Sequence, residues 1–366
     1  MKKLKDIVSI LEEAAPPALQ ESYDNSGLQV GHPDMEITGV LIALDVTPEV
    51  LEEAVETGCN LVLSHHPVVF GGLKALTGKT LAERLVIRAV EAGLAIYSGH
   101  TNFDAVPGGV NGALAARLGL LDLKILAPAE GQLRKLVVFV PEAHVDAVRD
   151  AMFGAGAGHI GRYDECGFTL RGEGSFRAGD GAHPFVGETG TRHYEKEVRL
   201  ETVVPAYRSG AVIRALTRAH PYEEVAWDLY PLENRFDGAG AGLLGRLPEP
   251  MEEHVFLDHV KSVTGIPVIR HSALLGRPVH TVALCGGAGS FLLSRARQAG
   301  AQAFLTGDLK YHQFFDADGK LLLADIGHYE SEQFSRDMFY DLITKKIPKF
   351  AVRLSKHDTN PIKYHL

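Results

Sequence analysis

Four short apolar runs, each ending at a polar or glycine step, constrain this 366-residue chain most. They are residues 39–44 before Asp45, 60–63 before Ser64-His65-His66, 94–97 before His100, and 321–324 before Asp325. Each has strand length and gives way to helical periodicity. That alternation predicts an α/β fold, its sheet largely parallel and covered on both faces. In open sheets of this kind ligands gather outside the carboxyl ends of the strands, and the polar residues fall there.

The middle of the chain follows another pattern. Strands are expected over 136–140, 168–173, 197–204 and 226–231, with helices over 144–153 and 209–220. The order β-α-β-β-α-β is that of a ferredoxin-like unit. Gly- and Pro-rich stretches flank or interrupt it at Ala127-Pro128, 177–190 and 238–245. Residues 131–232 are therefore expected as an inserted ferredoxin-like α+β domain that splits one α/β domain into 1–130 and 233–366. About 150 residues per domain also gives two or three domains for this length.

Charge and cysteine content remove several classes of function. With 45% hydrophobic and 23% charged residues the chain is not a disordered one. Its net charge of −9 argues against a broad electrostatic grip on nucleic acid, leaving only a local basic groove open. Three cysteines, Cys59, Cys166 and Cys285, can build neither a disulfide framework nor a Cys-based zinc knuckle, so a reducing cytoplasm is expected. Lys2, Lys3 and Lys5 precede Ile7, Val8 and Leu11, but Glu12 and Glu13 follow at once. This reads as an amphipathic helix and not a leader. No run approaches the ~18 apolar residues that span a bilayer, so a soluble chain without a membrane partner is expected.

Three histidine segments carry the chemistry. Adjacent side chains in a strand point to opposite sides, so His65 and His66 reach one site only if the chain turns, which Pro67 permits. Otherwise they are a structural polar pair. His100-Thr101-Asn102-Phe103-Asp104 leads into Pro107-Gly108-Gly109-Val110. Asp104 can share a site with the histidine four residues before it, or cap a helix starting near Val110. In Gly327-His328-Tyr329-Glu330-Ser331-Glu332, a helix beginning near Tyr329 sets His328 and Glu332 one turn apart on one face. The competing reading, Glu332 as a first-turn acid favouring the helix dipole, leaves that histidine unexplained.

Together His65, His66, Asp104, His328 and Glu332 form a donor set suited to zinc, iron or manganese. They exceed the four donors of one tetrahedral zinc. Two ions roughly 3.5–4 Å apart, bridged by a carboxylate and a water, would use them all. Two other motifs are weaker. Gly72-Leu73-Lys74-Ala75-Leu76-Thr77-Gly78-Lys79-Thr80 resembles a phosphate loop but has one residue too many between its glycines and no strand leading into it. Gly286-Gly287-Ala288-Gly289-Ser290 follows a predicted strand and lacks the third glycine of a dinucleotide fingerprint. Tight turning and anion binding both remain open there. The cluster His220-Pro221-Tyr222-Glu223-Glu224 reads as a helix end and is assigned no site.

The combined motifs resemble the Nif-three-like proteins, the GTP cyclohydrolase 1 type 2 homologues, over nearly the whole chain. The resemblance rests on Tyr23-Asp24-Asn25-Ser26-Gly27-Leu28-Gln29-Val30-Gly31, Ser64-His65-His66-Pro67, His100-Thr101-Asn102-Phe103-Asp104, Thr306-Gly307-Asp308-Leu309-Lys310-Tyr311-His312 and Gly327-His328-Tyr329-Glu330-Ser331-Glu332. Tyr23 stands where the family more usually has Trp, and Asp308 where it has Glu. The resemblance implies two divalent ions held by His65, His66, Asp104, His328 and Glu332, with Glu332 bridging. It also implies that His100 is an extra ligand or the catalytic proton-transfer group. Further implications are a ring-shaped homohexamer with sites facing an internal cavity, and a central insert similar to PII and CutA domains. By resemblance the activity is hydrolysis by metal-activated water on a small molecule such as a nucleotide, GTP ring opening being the family's named chemistry. A non-enzymatic metal-binding or metabolite-sensing regulator is the competing class. A ring contacting nucleic acid is opposed by the net charge.

Overall fold

A computed structural model describes residues 2–365. Strands Val40–Ala43, Leu61–Ser64 and Ala95–Ser98 lie side by side in parallel and are buried at every position. Such unbroken apolar runs suit strands covered on both faces. The pleat sorts their side chains. Val40, Ile42, Leu61, Leu63, Ala95 and Tyr97 pack against Leu4, Ile7 and Leu11 of helix Leu4–Ala14 and against Phe339 and Ile343 of helix Ser335–Lys346. Leu41, Ala43, Val62 and Ile96 face the other way, onto helices Pro48–Glu56 and Leu81–Glu91. Thr47 and Thr80 cap those two helices by accepting from the amides of Val50 and Glu83. Val352–Leu354 extends the sheet in parallel at one edge, and Gly27–Val30 closes the other edge antiparallel.

A second sheet repeats the plan. Val279–Leu284, Ala303–Thr306 and Leu322–Asp325 are parallel neighbours. Arg270–His271 lies antiparallel at one side, with Phe236–Met251 and then Leu121–Ala129 at the other. The Gly-rich stretch 238–245 and Ala127-Pro128, read from sequence as flanking connections, are parts of these last two strands. The glycine there answers crowding, since a Cβ on Gly240 would stand 2.2 Å from the Ala127 carbonyl oxygen.

The chain divides into two compact units, Met1–Pro128 with Gly238–Leu366, and Ala129–Asp237. The second contains strand Leu133–Pro141, helix Val145–Gly154, strands Gly167–Arg177 and Arg192–Pro205, helix Ser209–Ala219 and strand Trp227–Leu232. Its four strands pair antiparallel in the spatial order fourth, first, third, second. Its core contains Leu136, Val138, Val140, Val148, Met152, Val198, Leu200, Val212 and Leu216. Strand Arg192–Pro205 runs further than expected because Arg192–Lys196 is held by pairing with Glu173–Arg177 and not by burial. Among the described residues no helix is long and apolar enough to cross a membrane.

Candidate metal centre

The carboxyl ends of the parallel strands deliver the histidines. Beyond Leu61–Ser64 the chain turns, and the amides of His65 and His66 both donate to the Leu44 carbonyl, at 3.1 and 3.0 Å. That turn meets the condition for both rings to face one site. Beyond Ala95–Ser98, Gly99 passes so close to Phe103 that a Cβ would stand 2.6 Å from its ring. His100 and the short helix Thr101–Ala105 follow. Helix Val110–Arg117 starts at Gly109 without a side-chain cap, so Asp104 is not its cap. Beyond Leu322–Asp325, Gly327 adopts φ 78°, and helix His328–Glu332 begins one residue earlier than expected. Glu332 closes that helix and does not cap its start.

These residues converge. His65 Nε2 lies 3.7 Å from both Asp104 Oδ1 and Glu332 Oε1. Glu332 Oε2 is 3.0 Å from His66 Nε2 and 3.1 Å from His328 Nε2, and those two nitrogens are 3.3 Å apart. The His100 ring centroid is 5.2 Å from that of His65 and 5.5 Å from that of His66. Three overlapping triads have donor atoms mutually within 4.8 Å: His65–Asp104–Glu332, His66–His328–Glu332 and His65–His66–His100.

The outer contacts fix how the rings are oriented. Each histidine uses Nδ1 for an oxygen: His65 for the Gly99 carbonyl at 2.8 Å, and His66, His100 and His328 for Asp45, Asp24 and Asp308 at 2.7 Å. A carbonyl or carboxylate partner assigns the proton to Nδ1 and leaves the Nε2 lone pair facing inward. Metal-binding histidines are held in this way. Asp24 is gripped further by Ser26 and by the Thr101 amide and hydroxyl. Burial works to raise its pKa, but these bonds keep it far below the carboxylate range.

The buried donors lack conventional partners. His65 Nε2, Asp104 Oδ1 and Glu332 Oε2 are enclosed without a hydrogen bond. Around Glu332 Oε2 stand the Nε2 atoms of His66 and His328, at 3.0 and 3.1 Å. Unpaired buried polar atoms are costly; a cation beside His65 and Asp104 would satisfy two of them, and one beside His66 and His328 would satisfy Glu332 Oε2. With none, protons and charge compensate: despite burial, Asp45 and Glu332 hold His66 up to about 10, and Glu332 and Asp308 hold His328 up to about 9. Burial pushes Asp104 to about 7. Burial would raise Glu332 too, but the surrounding histidines keep it well below the usual range. The mixed imidazole–carboxylate donor set fits borderline divalent metals.

Sequence reasoning assigned no role to Asp24, Asp45 or Asp308. Their signal was the unfilled requirement that each imidazole find an acceptor for its second nitrogen. The glycine loop after Val279–Leu284 spends its amides on protein groups: Gly286 on Asn111, Gly287 on Ser331 and Gly289 on Thr306. Gly287 is required by both turning and contact, since it adopts φ 61° and a Cβ there would stand 2.3 Å from Glu332 Oε1. The phosphate-loop look-alike has no strand before it and wraps the Glu83 carboxylate, which accepts from the amides of Thr77 and Lys79. His220 terminates helix Ser209–Ala219, with Nε2 bonded to the Phe139 carbonyl.

A family model described as Duf34/NIF3 (NGG1p interacting factor 3) matches residues 2–361. A Bacillus subtilis protein named GTP cyclohydrolase 1 type 2 homolog is 38% identical, covering 98% of both chains. A Halalkalibacterium halodurans protein of the same name is 40% identical over 88% of this chain and 87% of its own. The crystal structure of a Bacillus cereus protein related to NIF3 superposes with a TM-score of 0.86 at 36% identity, over 100% of this chain and 99% of that one.

Proposed function

The chain belongs to the Duf34/NIF3 family, and from that premise we propose that it is a two-metal hydrolase. His65, Asp104 and Glu332 hold one divalent ion, and His66, His328 and Glu332 hold the other, each zinc, iron or manganese. The observation that carries this reading is the Nδ1 tethering of His65, His66 and His328, which leaves each Nε2 facing buried Glu332, and that of His65 facing Asp104 as well. Bound ions of this class polarise the bond under attack and lower the pKa of a coordinated water. Glu332 spans the two positions, Oε1 toward His65 and Oε2 toward His66 and His328. His100 is the catalytic proton-transfer group, its tautomer held by Asp24 so that Nε2 can take and return a proton.

The name shared by the relatives makes nucleotides, GTP first, the small-molecule class to try. The β-α-β-β-α-β order of Ala129–Asp237 supports an inserted ferredoxin-like domain of the PII/CutA type. Exposed Tyr311, Phe315 and Phe291 support the homohexameric ring, since a monomer leaves such apolar surface in water. Cysteines without disulfides suit a cytoplasmic location, and the −9 charge argues against nucleic acid as partner. The test is turnover by metal-loaded protein on a panel of nucleotides, phosphoesters and cyclic amides, with Glu332→Ala as control. Two bound ions without turnover above that control would favour the metal-binding regulator instead.

A further inference from the structure

After edge strand Val352–Leu354 the chain leaves the sheet beside Ile42, whose carbonyl accepts from the Ser355 amide at 2.8 Å. Buried Glu53 anchors this exit, accepting from the Ser355 hydroxyl at 2.6 Å and the Lys356 amide at 3.2 Å. The segment then reaches the outer carboxylates of the centre. Thr359 donates its hydroxyl to Asp45 Oδ2 at 2.6 Å, while Asp45 Oδ1 accepts from His66 Nδ1 at 2.7 Å. Asn360 Nδ2 donates to Glu330 Oε1 at 3.0 Å, and Glu330 is buried on the helix that carries His328 and Glu332. The tail therefore touches the supports on both sides of one triad. His65 is oriented by the Gly99 carbonyl and has no such link.

We propose that Thr359 is a positioning residue for one of the two ions. It aligns His66 through Asp45 and tunes the affinity of the His66–His328–Glu332 position, while the His65–Asp104–Glu332 position, which shares only Glu332 with it, is affected less. The inference rests on the two-metal reading above. Asp45 divides its oxygens between Thr359 and His66, so loss of the hydroxyl frees the carboxylate to rotate and His66 loses a fixed acceptor. Asp45 is the outer-shell partner of His66, a kind of group that typically carries about 10–100-fold in affinity, and Thr359 acts one bond further out, so its share is about tenfold or less.

The test titrates ion-free full-length protein with Co(II), following the visible ligand-field bands and the number of ions bound. Wild type should take up two ions. Thr359→Val keeps the side chain's shape and removes only the hydroxyl. It should weaken one ion by up to about tenfold, with a change in its band, and the other by clearly less. Thr359→Ala should show the same selective loss, and Thr359→Ser should restore wild-type binding. Two ions at wild-type affinity in the Val and Ala variants, or equal weakening of both ions, would overturn the inference. Failure of wild type to bind cobalt would instead bring down the two-metal reading itself.

Discussion

Alanine at Gly287 separates a glycine kept for its backbone from one kept for its neighbour. Gly287 adopts φ 61°, a left-handed conformation that costs a residue with a Cβ about 1–2 kcal/mol. A Cβ there would also stand 2.3 Å from Glu332 Oε1. The backbone cannot yield readily: the Gly287 amide is bonded to Ser331, and its carbonyl accepts from the Gly307 amide at 2.7 Å and the Thr306 hydroxyl at 3.0 Å. Glu332 must therefore retreat by about 1.1 Å to reach an ordinary contact of 3.4 Å, well beyond the ~0.2 Å tolerance of a metal–oxygen bond. Gly300 supplies the control, with φ 75° and nothing within 4 Å of its Cβ position. Gly300→Ala should lose about 1–2 kcal/mol in urea unfolding and keep full metal content. Gly287→Ala should lose a similar amount of stability and, in addition, at least about tenfold in metal affinity. Denaturation of the ion-free proteins and titration with Zn(II) read the two effects separately. Equal metal affinity in the two variants would refute the claim that Glu332 is placed by the absence of a side chain at Gly287.

Three further outcomes are expected. In ion-free protein His66 and His328 titrate near 10 and 9 instead of the ordinary 6.5, because Asp45, Glu332 and Asp308 outweigh burial. Their stabilisation is complete below pH 6.5 and lost as pH rises through 9 to 10. The Tm of the ion-free protein should fall over that interval, while ion affinity rises as proton competition ends; calorimetry with and without Zn(II) checks both signs. His100→Ala should keep both ions and slow any hydrolysis by ~10²–10⁴-fold, whereas His65→Ala and Asp104→Ala should lose metal with activity, read as metal content and rate on one preparation. Joining Pro128 to Gly238 with a short linker should leave a folded core that retains its ions, measured by circular dichroism and metal analysis. Metal-free or insoluble products across several linker lengths would contradict this.

The apolar runs that marked the parallel strands in the sequence are strands in the structure, because burial on both faces leaves little room for any other pattern. Their polar ends could be placed for the same reason. The turn after Ser64 was legible only as a condition, since Pro67 permits it while the shared Leu44 carbonyl that forms it lies just past the end of another strand. Asp24, Asp45 and Asp308 find their histidines across 76, 21 and 20 residues, and no local periodicity encodes such a pairing. Glycine composition misled for a related reason. At 238–245 it resembled a connection, yet Gly240 lies where two strands crowd together, and composition alone does not separate open from packed glycines. Thr359 and Asn360 lie in a tail with no regular pattern, and only their partners reveal a use for them.

The centre is assembled from two distant stretches of one chain, and synthesis makes them in order. At about 5–20 residues per second, the roughly 230 residues between Asp104 and Glu332 take on the order of 10–45 s to add. During that interval the nascent chain carries His65, His66, His100 and Asp104, without the carboxylate that spans both positions. A cation captured then would meet three imidazoles and one acid in an open shell, a poor filter between competing metals. On the two-metal reading, selection would wait until His328 and Glu332 have emerged. On that reading the ion finally held would follow from which metals are free in the cell when the chain is released.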